Sequence, residues 1–201
     1  TISYTVDGGS PLTISTIGNN RVTVIGANTN NVDSLKYRIV NVSDGDCSNA
    51  ISGAIKTVTV NPLPKASIIG NDEVCQDSLV SDIVFKAYNA TAPYQITYSV
   101  NNSLAPSIQT NSGDSIALSV NSNKVGTNTY KLISVKDALG CSTKANGTAE
   151  IIVINNPLAE FTLEDNNASI LEPYVDIYES SLHAVSWNWN FGDGTTSNSP
   201  D

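Results

Sequence analysis

Ile2-Ser3-Tyr4-Thr5-Val6-Asp7 recurs later in the chain as Ile96-Thr97-Tyr98-Ser99-Val100-Asn101. In both stretches apolar and polar residues alternate, which is typical of a half-buried β-strand. Three further matches keep the same order: 37–44 with 130–137, Cys47 with Cys141, and 58–63 with 152–158, where Asn155 is an insertion. Agreement of four segments predicts a repeat of about 94 residues, the size of one β-sandwich domain.

The second copy of the repeat carries enough β-rich runs for a complete sandwich. Gly, Asn, Pro and Asp clusters separate the runs, as turns separate strands. About seven runs predict an Ig-like sandwich. The clear runs are 83–87, 94–100, 115–120, 129–135 and 149–154, and the weaker ones are 66–69 and 106–110.

The repeat divides the chain into predicted units at 1–62, 63–156 and 157–201. We expect 1–62 to be the later part of an Ig-like repeat that lacks its opening strands, which leaves a core face uncovered. Residues 63–156 are predicted to be complete. Prolines at both joints, Pro62 and Pro157 among them, favour stiff connections and an extended rod.

Composition points to an all-β protein and excludes several partners. Val, Ile and Thr are abundant, Met is absent, and charged residues make up only 14 % of the chain. The net charge of -9 would repel a nucleic acid or an anionic membrane surface at long range. No apolar run is long enough for a membrane span. We therefore expect no nucleic-acid partner and no membrane insertion.

The three cysteines fit the repeat. Cys75 lies early and Cys141 late in the complete copy, which predicts a disulfide between them, while the partner of Cys47 would lie upstream of this chain. Closing so long a loop would stabilise the fold by about 4 kcal/mol in the chain-entropy model. Disulfides indicate an oxidising, extracellular location. The alternative is three buried thiols without partners.

Ser186-Trp187-Asn188-Trp189-Asn190-Phe191-Gly192-Asp193-Gly194-Thr195 resembles the W-x-F-G-D-G signature of PKD domains. These are small Ig-like sandwiches of bacterial surface proteins, and they also occur as accessory modules of secreted hydrolases. The sequence 159–161 suits the opening strand of that family. The resemblance implies that 157–201 begin a PKD-like sandwich and stop before its closing strands.

The aromatic residues of this motif have two interpretations. Trp187, Trp189 and Phe191 alternate, so a strand would place them on one face, either as sandwich core or as a strip that stacks on sugars. Gly192-Asp193-Gly194 predicts a tight turn in which Asp193 bonds to the local backbone. Asp193 could instead join a calcium site, although no spaced set of oxygen ligands accompanies it. We expect no other cofactor.

The repeats resemble those of SprB-like surface adhesins of gliding Bacteroidota. The similarity lies in Ala92-Pro93-Tyr94, in Tyr130, and in Asp137-Ala138-Leu139-Gly140-Cys141. It implies type 9 secretion, a cell-surface location and attachment to the gliding machinery through regions outside this chain. The expected function is an adhesive or structural segment of a stalk or fibre, with neighbouring repeats and a surface polysaccharide or other glycan as partners.

Nothing in the sequence predicts catalysis. His183 is the only histidine, and neither a G-x-S-x-G elbow nor a Gly-rich phosphate loop is present. The competing function is an accessory spacer or carbohydrate-binding segment of a secreted multi-domain hydrolase.

Three serines lie in triplets that resemble the Asp-Ser/Thr-aliphatic O-glycosylation sequons of Bacteroidota. The resemblance implies glycans on Ser34, Ser78 and Ser115, in Asp33-Ser34-Leu35, Asp77-Ser78-Leu79 and Asp114-Ser115-Ile116.

Overall fold

A computed structural model describes residues 1–16, 25–31, 33–53, 55–111, 113–164, 168–171 and 173–199. The regular secondary structure in these ranges consists of β-strands alone, which confirms the predicted all-β class. The described residues include no helix of the length and hydropathy needed to cross a membrane.

The first sheet is antiparallel throughout and is centred on two strands, β1 (Ile2–Val6) and the longer β3 (Ser34–Ser43). β2 (Leu12–Ile14) pairs with the outer side of β1. β3 (Ser34–Ser43) pairs with the other side of β1 and also with β4 (Ser48–Ala50) and β5 (Ile55–Thr59). Alternating apolar side chains give this sheet one largely apolar face.

The second unit is a β-sandwich of ten strands. They are β6 (Lys65–Ile69), β7 (Asp72–Cys75), β8 (Ile83–Tyr88), β9 (Gln95–Val100), β10 (Ser103–Leu104), β11 (Ile108–Gln109), β12 (Ser115–Leu118), β13 (Gly126–Lys136), β14 (Ser142–Lys144) and β15 (Thr148–Ile154). The smaller sheet has the order β12-β8-β6. The larger has the order β10-β9-β13-β15-β7, with β11 beside β9 and β14 beside β13.

The hydrophobic core of the second unit lies between these two sheets and draws side chains from both. Period-2 alternation places every second residue of β8 inside, and Phe85 packs on Tyr98 with ring centroids 5.0 Å apart. Complete burial of one such side chain stabilises the fold by about 1.5–3 kcal/mol. The largest core residues are Ile83, Phe85, Tyr94, Ile96, Leu132, Val135, Ile151 and Val153.

All seven runs predicted in this unit coincide with strands, but the sequence did not predict β7, β10 or β14. β7 begins with Asp72 and Glu73, two residues that are depleted in strands. It exists because it pairs in parallel with β15, far away along the chain. Such a pairing is a tertiary interaction that no local pattern announces.

The first sheet and the larger sheet of the second unit contain the same irregularity. The β1–β3 register skips Val40, and the β9–β13 register skips Ile133, which lies 93 positions later. The carbonyl of the skipped residue accepts a hydrogen bond of 2.9 Å in both sheets. The donor is the N–H of Ile51 for Val40 and the N–H of Ala145 for Ile133. The two sheets therefore share one pairing scheme, while a period of about 94 residues and the unit boundaries stay predictions.

The last part of the chain forms two small antiparallel pairs. β16 (Phe161–Leu163) pairs with β17 (Ile177–Glu179), and β18 (Trp189–Asn190) pairs with β19 (Thr196–Ser197). None of the residues described between 157 and 199 is fully buried. This part consequently lacks the closed core of the sandwich that precedes it.

Candidate functional site

The aromatic motif near the end of the chain is anchored through one tryptophan. Trp189 lies in β18, its ring meets Phe161 edge-on at 5.6 Å, and its indole N–H donates to the carbonyl of Ser199 at 2.8 Å. These contacts connect β18 with β16. The ring contact and the hydrogen bond together fix the position of the indole, so Trp189 has a structural role.

The three aromatic residues do not form one strip on a strand. β18 contains only Trp189 and Asn190, so strand alternation does not carry Trp187 and Phe191 onto its face. The two tryptophans are half-buried, and Phe191 is 49 % exposed. The motif is thus neither a closed core nor an open, flat platform for a sugar ring.

Gly192-Asp193-Gly194 is a tight turn, as the sequence predicted. Both glycines have positive φ angles, 83° and 93°. The Asp193 carboxylate accepts the backbone N–H of Thr195 at 2.8 Å and its hydroxyl at 2.5 Å. The Thr195 hydroxyl, followed by its N–H, lowers the pKa of Asp193 below its ordinary value of 3.8.

The carboxylates of these turns bond to the backbone and are not gathered around a cation. In the part of the chain that the structure describes, no three Asp, Glu, His or Cys side chains are grouped as metal ligands would be. Asp44 resembles Asp193, because its carboxylate accepts the N–H of Asp46 at 3.1 Å and of Cys47 at 2.8 Å. The N–H of Cys47, followed by that of Asp46, lowers the pKa of Asp44.

Cys47 and Cys141 occupy similar turns, each of which is closed by an aspartate. The N–H of each cysteine donates at 2.8 Å to the carboxylate of Asp44 or Asp137. The cysteine carbonyl in turn accepts the N–H of the same aspartate, at 3.1 Å for Asp44 and Cys47 and at 2.9 Å for Asp137 and Cys141. Asp137 differs from Asp44 because it is only 5 % exposed. Each cysteine thus contributes its backbone to a turn closed by an aspartate, three residues earlier for Cys47 and four residues earlier for Cys141.

The predicted Cys75–Cys141 disulfide is wrong for this fold, in which all three thiols are free. Cys75 pairs with Ile154 at the end of the sheet where β13 begins. Cys141 follows the far end of β13, an 11-residue strand. At about 3.3 Å per residue the two cysteines are roughly 33 Å apart, whereas a disulfide needs Cα atoms within about 7 Å. The pairing expected for Cys47, with a cysteine that would precede residue 1, stays a prediction.

The three sequon serines have different surroundings. Ser34 begins β3 and pairs with Thr59, and Ser115 begins β12 and pairs with Lys86. Ser78 is exposed in the turn that follows β7, next to Leu79, which is 98 % exposed. Ser78 is thus the one of the three serines that lies outside a strand.

The sequence led us to expect an uncovered core face on the first unit, and the first sheet carries a broad apolar groove. Its volume is about 420 Å³. We call it the open face and define it by Ile2, Tyr4, Ile14, Tyr37, Ile39 and Lys56, which line the groove. No sheet among the described residues packs over it, since the first sheet has no strand pairing or substantial contact with any other sheet.

Comparison with known proteins adds no identification. No protein-family model matches the chain, and no curated protein matches it with significance.

Proposed function

We propose that this chain is a structural segment of an extracellular cell-surface repeat protein, a stalk or fibre of the gliding-adhesin type. The observation that carries the proposal is the pairing scheme that the first sheet shares with the larger sheet of the second unit, including the bulges at Val40 and Ile133. Repetition of one β-unit along a chain is the design of rods that hold a binding region away from a surface.

The surface chemistry supports a structural role. The net charge of -9 keeps such a chain soluble and discourages association with nucleic acid. The perturbed carboxylates, Asp44 and Asp193 among them, owe their lowered pKa to hydrogen bonds that close turns. Neighbouring repeats of the same protein would be its main partners, with a surface glycan as the adhesive target. We assign the chain no catalytic role.

Immunofluorescence on the producing cells tests the location. An antibody raised against residues 1–201 should label intact cells as strongly as permeabilised ones, and brief proteinase treatment of intact cells should remove the signal. Labelling that requires permeabilisation would refute the surface assignment.

Deletion of the gene should then reduce attachment or gliding if the fibre is an adhesin, whereas loss of secreted hydrolase activity would favour the accessory-module alternative.

We further propose Ser78 as the preferred O-glycosylation site, because its turn is exposed and outside the strand ladder. Protein purified from the producing cells should be heavier than its sequence mass by hexose-sized increments. Ser78→Ala should remove an increment, while Ser34→Ala and Ser115→Ala serve as matched controls within paired strands. A native mass equal to the sequence mass would reject glycosylation at all three serines.

A further inference from the structure

A polar groove lies at one end of the β-sandwich, on the outer side of its larger sheet. Its volume is about 480 Å³. We call it the end groove and define it by six of the residues that line it, which are Pro93, Gln95, Gln109, Lys136, Ala138 and Leu139. Unlike the open face, it belongs to the unit whose core is closed. It is therefore a surface feature of a finished sandwich.

Three polar side chains form a row across the floor of the end groove. Gln109 of β11 pairs with Gln95 of β9, and Gln95 pairs with Lys136 of β13. The residues next to them, Ile96 and Val135, are almost completely buried. Alternation therefore directs Gln95 and Lys136 to the outer side, where both are exposed. Because opposite side chains on adjacent strands are about 5 Å apart at Cβ, two amides and one ammonium group lie next to each other.

The loops around this row are tied together by hydrogen bonds. Tyr94 and Thr110 are each 1 % exposed and bond to each other twice. The Tyr94 N–H donates to the Thr110 hydroxyl and the Thr110 N–H donates to the Tyr94 carbonyl, both at 2.9 Å. The N–H of Ala138 donates to the carbonyl of Thr91 at 3.0 Å, which joins the turn after β13 to the loop before β9. The groove is consequently preformed, so a ligand would lose little affinity to ordering of the site.

Lys136 supplies the exposed charge of the end groove. Asp137 also lines the groove, but it is only 5 % exposed and its carboxylate accepts the N–H of Cys141. In the first sheet, which has the same pairing scheme, Ser43 occupies the position of Lys136. The fold therefore does not require a cation at this position. The ammonium group is available to an anionic ligand, in a chain whose own net charge is -9.

The side of the end groove is aliphatic. Leu139 is 55 % exposed, Ala138 is exposed and Pro93 is half-buried. None of the described residues that line the groove has an aromatic ring, so stacking on a flat sugar face does not contribute. The groove combines amides, one cation and a small aliphatic wall. This combination suits the hydroxyls, the carboxylate and the C–H groups of an acidic sugar.

We propose that the end groove binds an acidic saccharide, whose carboxylate bonds to Lys136 and whose hydroxyls bond to Gln95 and Gln109. The inference rests on the proposed function, because it assigns a ligand class and a site to the adhesive role. The Gln95 amide already donates to the hydroxyl of Ser107 at 3.2 Å, which orients its carbonyl oxygen as an acceptor for a sugar hydroxyl. One such site binds weakly, and many copies of the chain on one surface would raise the avidity.

An NMR titration of the full, isotope-labelled chain with tetragalacturonate tests the site. The signals of Gln95, Gln109 and Lys136 should shift together and give one dissociation constant. Methyl-esterified tetragalacturonate keeps the hydroxyls and loses the charge, so it should bind about tenfold more weakly, the usual effect of one charge-assisted hydrogen bond. Lys136→Gln should cause the same loss for the acid and no loss for the ester, whereas Gln109→Ala should weaken both.

Lys131→Gln is the matched control, because Lys131 is exposed on the same strand, roughly 17 Å from Lys136. It should leave both dissociation constants unchanged. The proposal fails if tetragalacturonate shifts none of these signals, if the ester binds as tightly as the acid, or if the two lysine variants lose the same affinity. It also fails if tetraglutamate binds as tightly as tetragalacturonate, because the ligand would then be an acidic polypeptide. Such a failure together with surface labelling of intact cells would overturn the groove and leave the stalk.

Discussion

At the residue scale, aspartates and glycines shape the turns, and hydrogen-bond geometry explains their roles. Asp44, Asp137 and Asp193 each accept a backbone N–H at 2.8 Å. These bonds explain why an aspartate recurs in the corresponding turns of both units. Turn chemistry of this kind is local, and it was predictable for Asp193 from the Gly-Asp-Gly pattern.

The state of the cysteines can be counted directly. Because Cys75 and Cys141 lie at opposite ends of the sheet, we expect three reactive thiols per chain in denaturant without reductant. In the native protein Cys47 should react fastest with a maleimide, since it is exposed and the other two are half-buried. One reactive thiol together with a linked Cys75–Cys141 peptide would contradict the arrangement of β7 and β14.

The pKa of Asp193 should lie below 3.8 in the folded protein, because the Thr195 hydroxyl and N–H bond to its ionised form. The carboxylate therefore stabilises the turn above the unfolded-state pKa, and this contribution is lost as the pH falls through the lower folded-state pKa. An NMR titration of the Asp193 carboxyl carbon measures the value. Thr195→Val removes the hydroxyl and keeps the N–H, so the pKa should rise part of the way toward 3.8. An unchanged pKa would show that the hydroxyl is not involved.

At the element scale, the same strand pattern gives different results in the two units. β1 and β9 alternate in the same way, and β3 and β13 bulge at the same place. Only β9 and β13 lie under a second sheet, so only they contribute to a dry core. Periodicity thus predicts which face of a strand is apolar, while a neighbouring layer decides whether that face is buried.

This difference predicts unequal effects of two matched truncations. Leu132→Ala should lower the free energy of unfolding by about 2–5 kcal/mol, because it opens a cavity in a closed core. Ile39→Ala, at the equivalent position of the first sheet, should cost less than about 1 kcal/mol, because Ile39 is 42 % exposed. Urea unfolding followed by far-UV circular dichroism measures both. Equal losses would mean that the open face is covered in solution.

At the scale of the whole molecule, the proposed stalk requires short and stiff connections between units. β5 ends at Thr59 and β6 begins at Lys65, and the joint between them contains Pro62 and Pro64. Pro64 is fully buried, which shortens the free part of the connection further. Proline limits φ along this joint and restricts bending.

Small-angle X-ray scattering tests the rod. A compact protein of this length would have a radius of gyration of about 17 Å. A stalk segment should have a clearly larger value, because its units would be arranged end to end. Pro62→Gly should broaden the distance distribution, since glycine releases the backbone at the joint. A radius of gyration near that of the compact protein would contradict the stalk.

The sequence by itself determined the β class, the seven principal strands of the second unit and the turn at Gly192-Asp193-Gly194, because alternation and turn chemistry act over a few neighbouring residues. Only the tertiary structure placed β7 beside β15, which separates Cys75 from Cys141 and excludes their disulfide. It also showed that Trp189 is held by Phe161 and that Ile39 is exposed where Leu132 is buried. These outcomes depend on contacts between segments that are distant in the chain, and local sequence patterns carry no information about which distant segments meet.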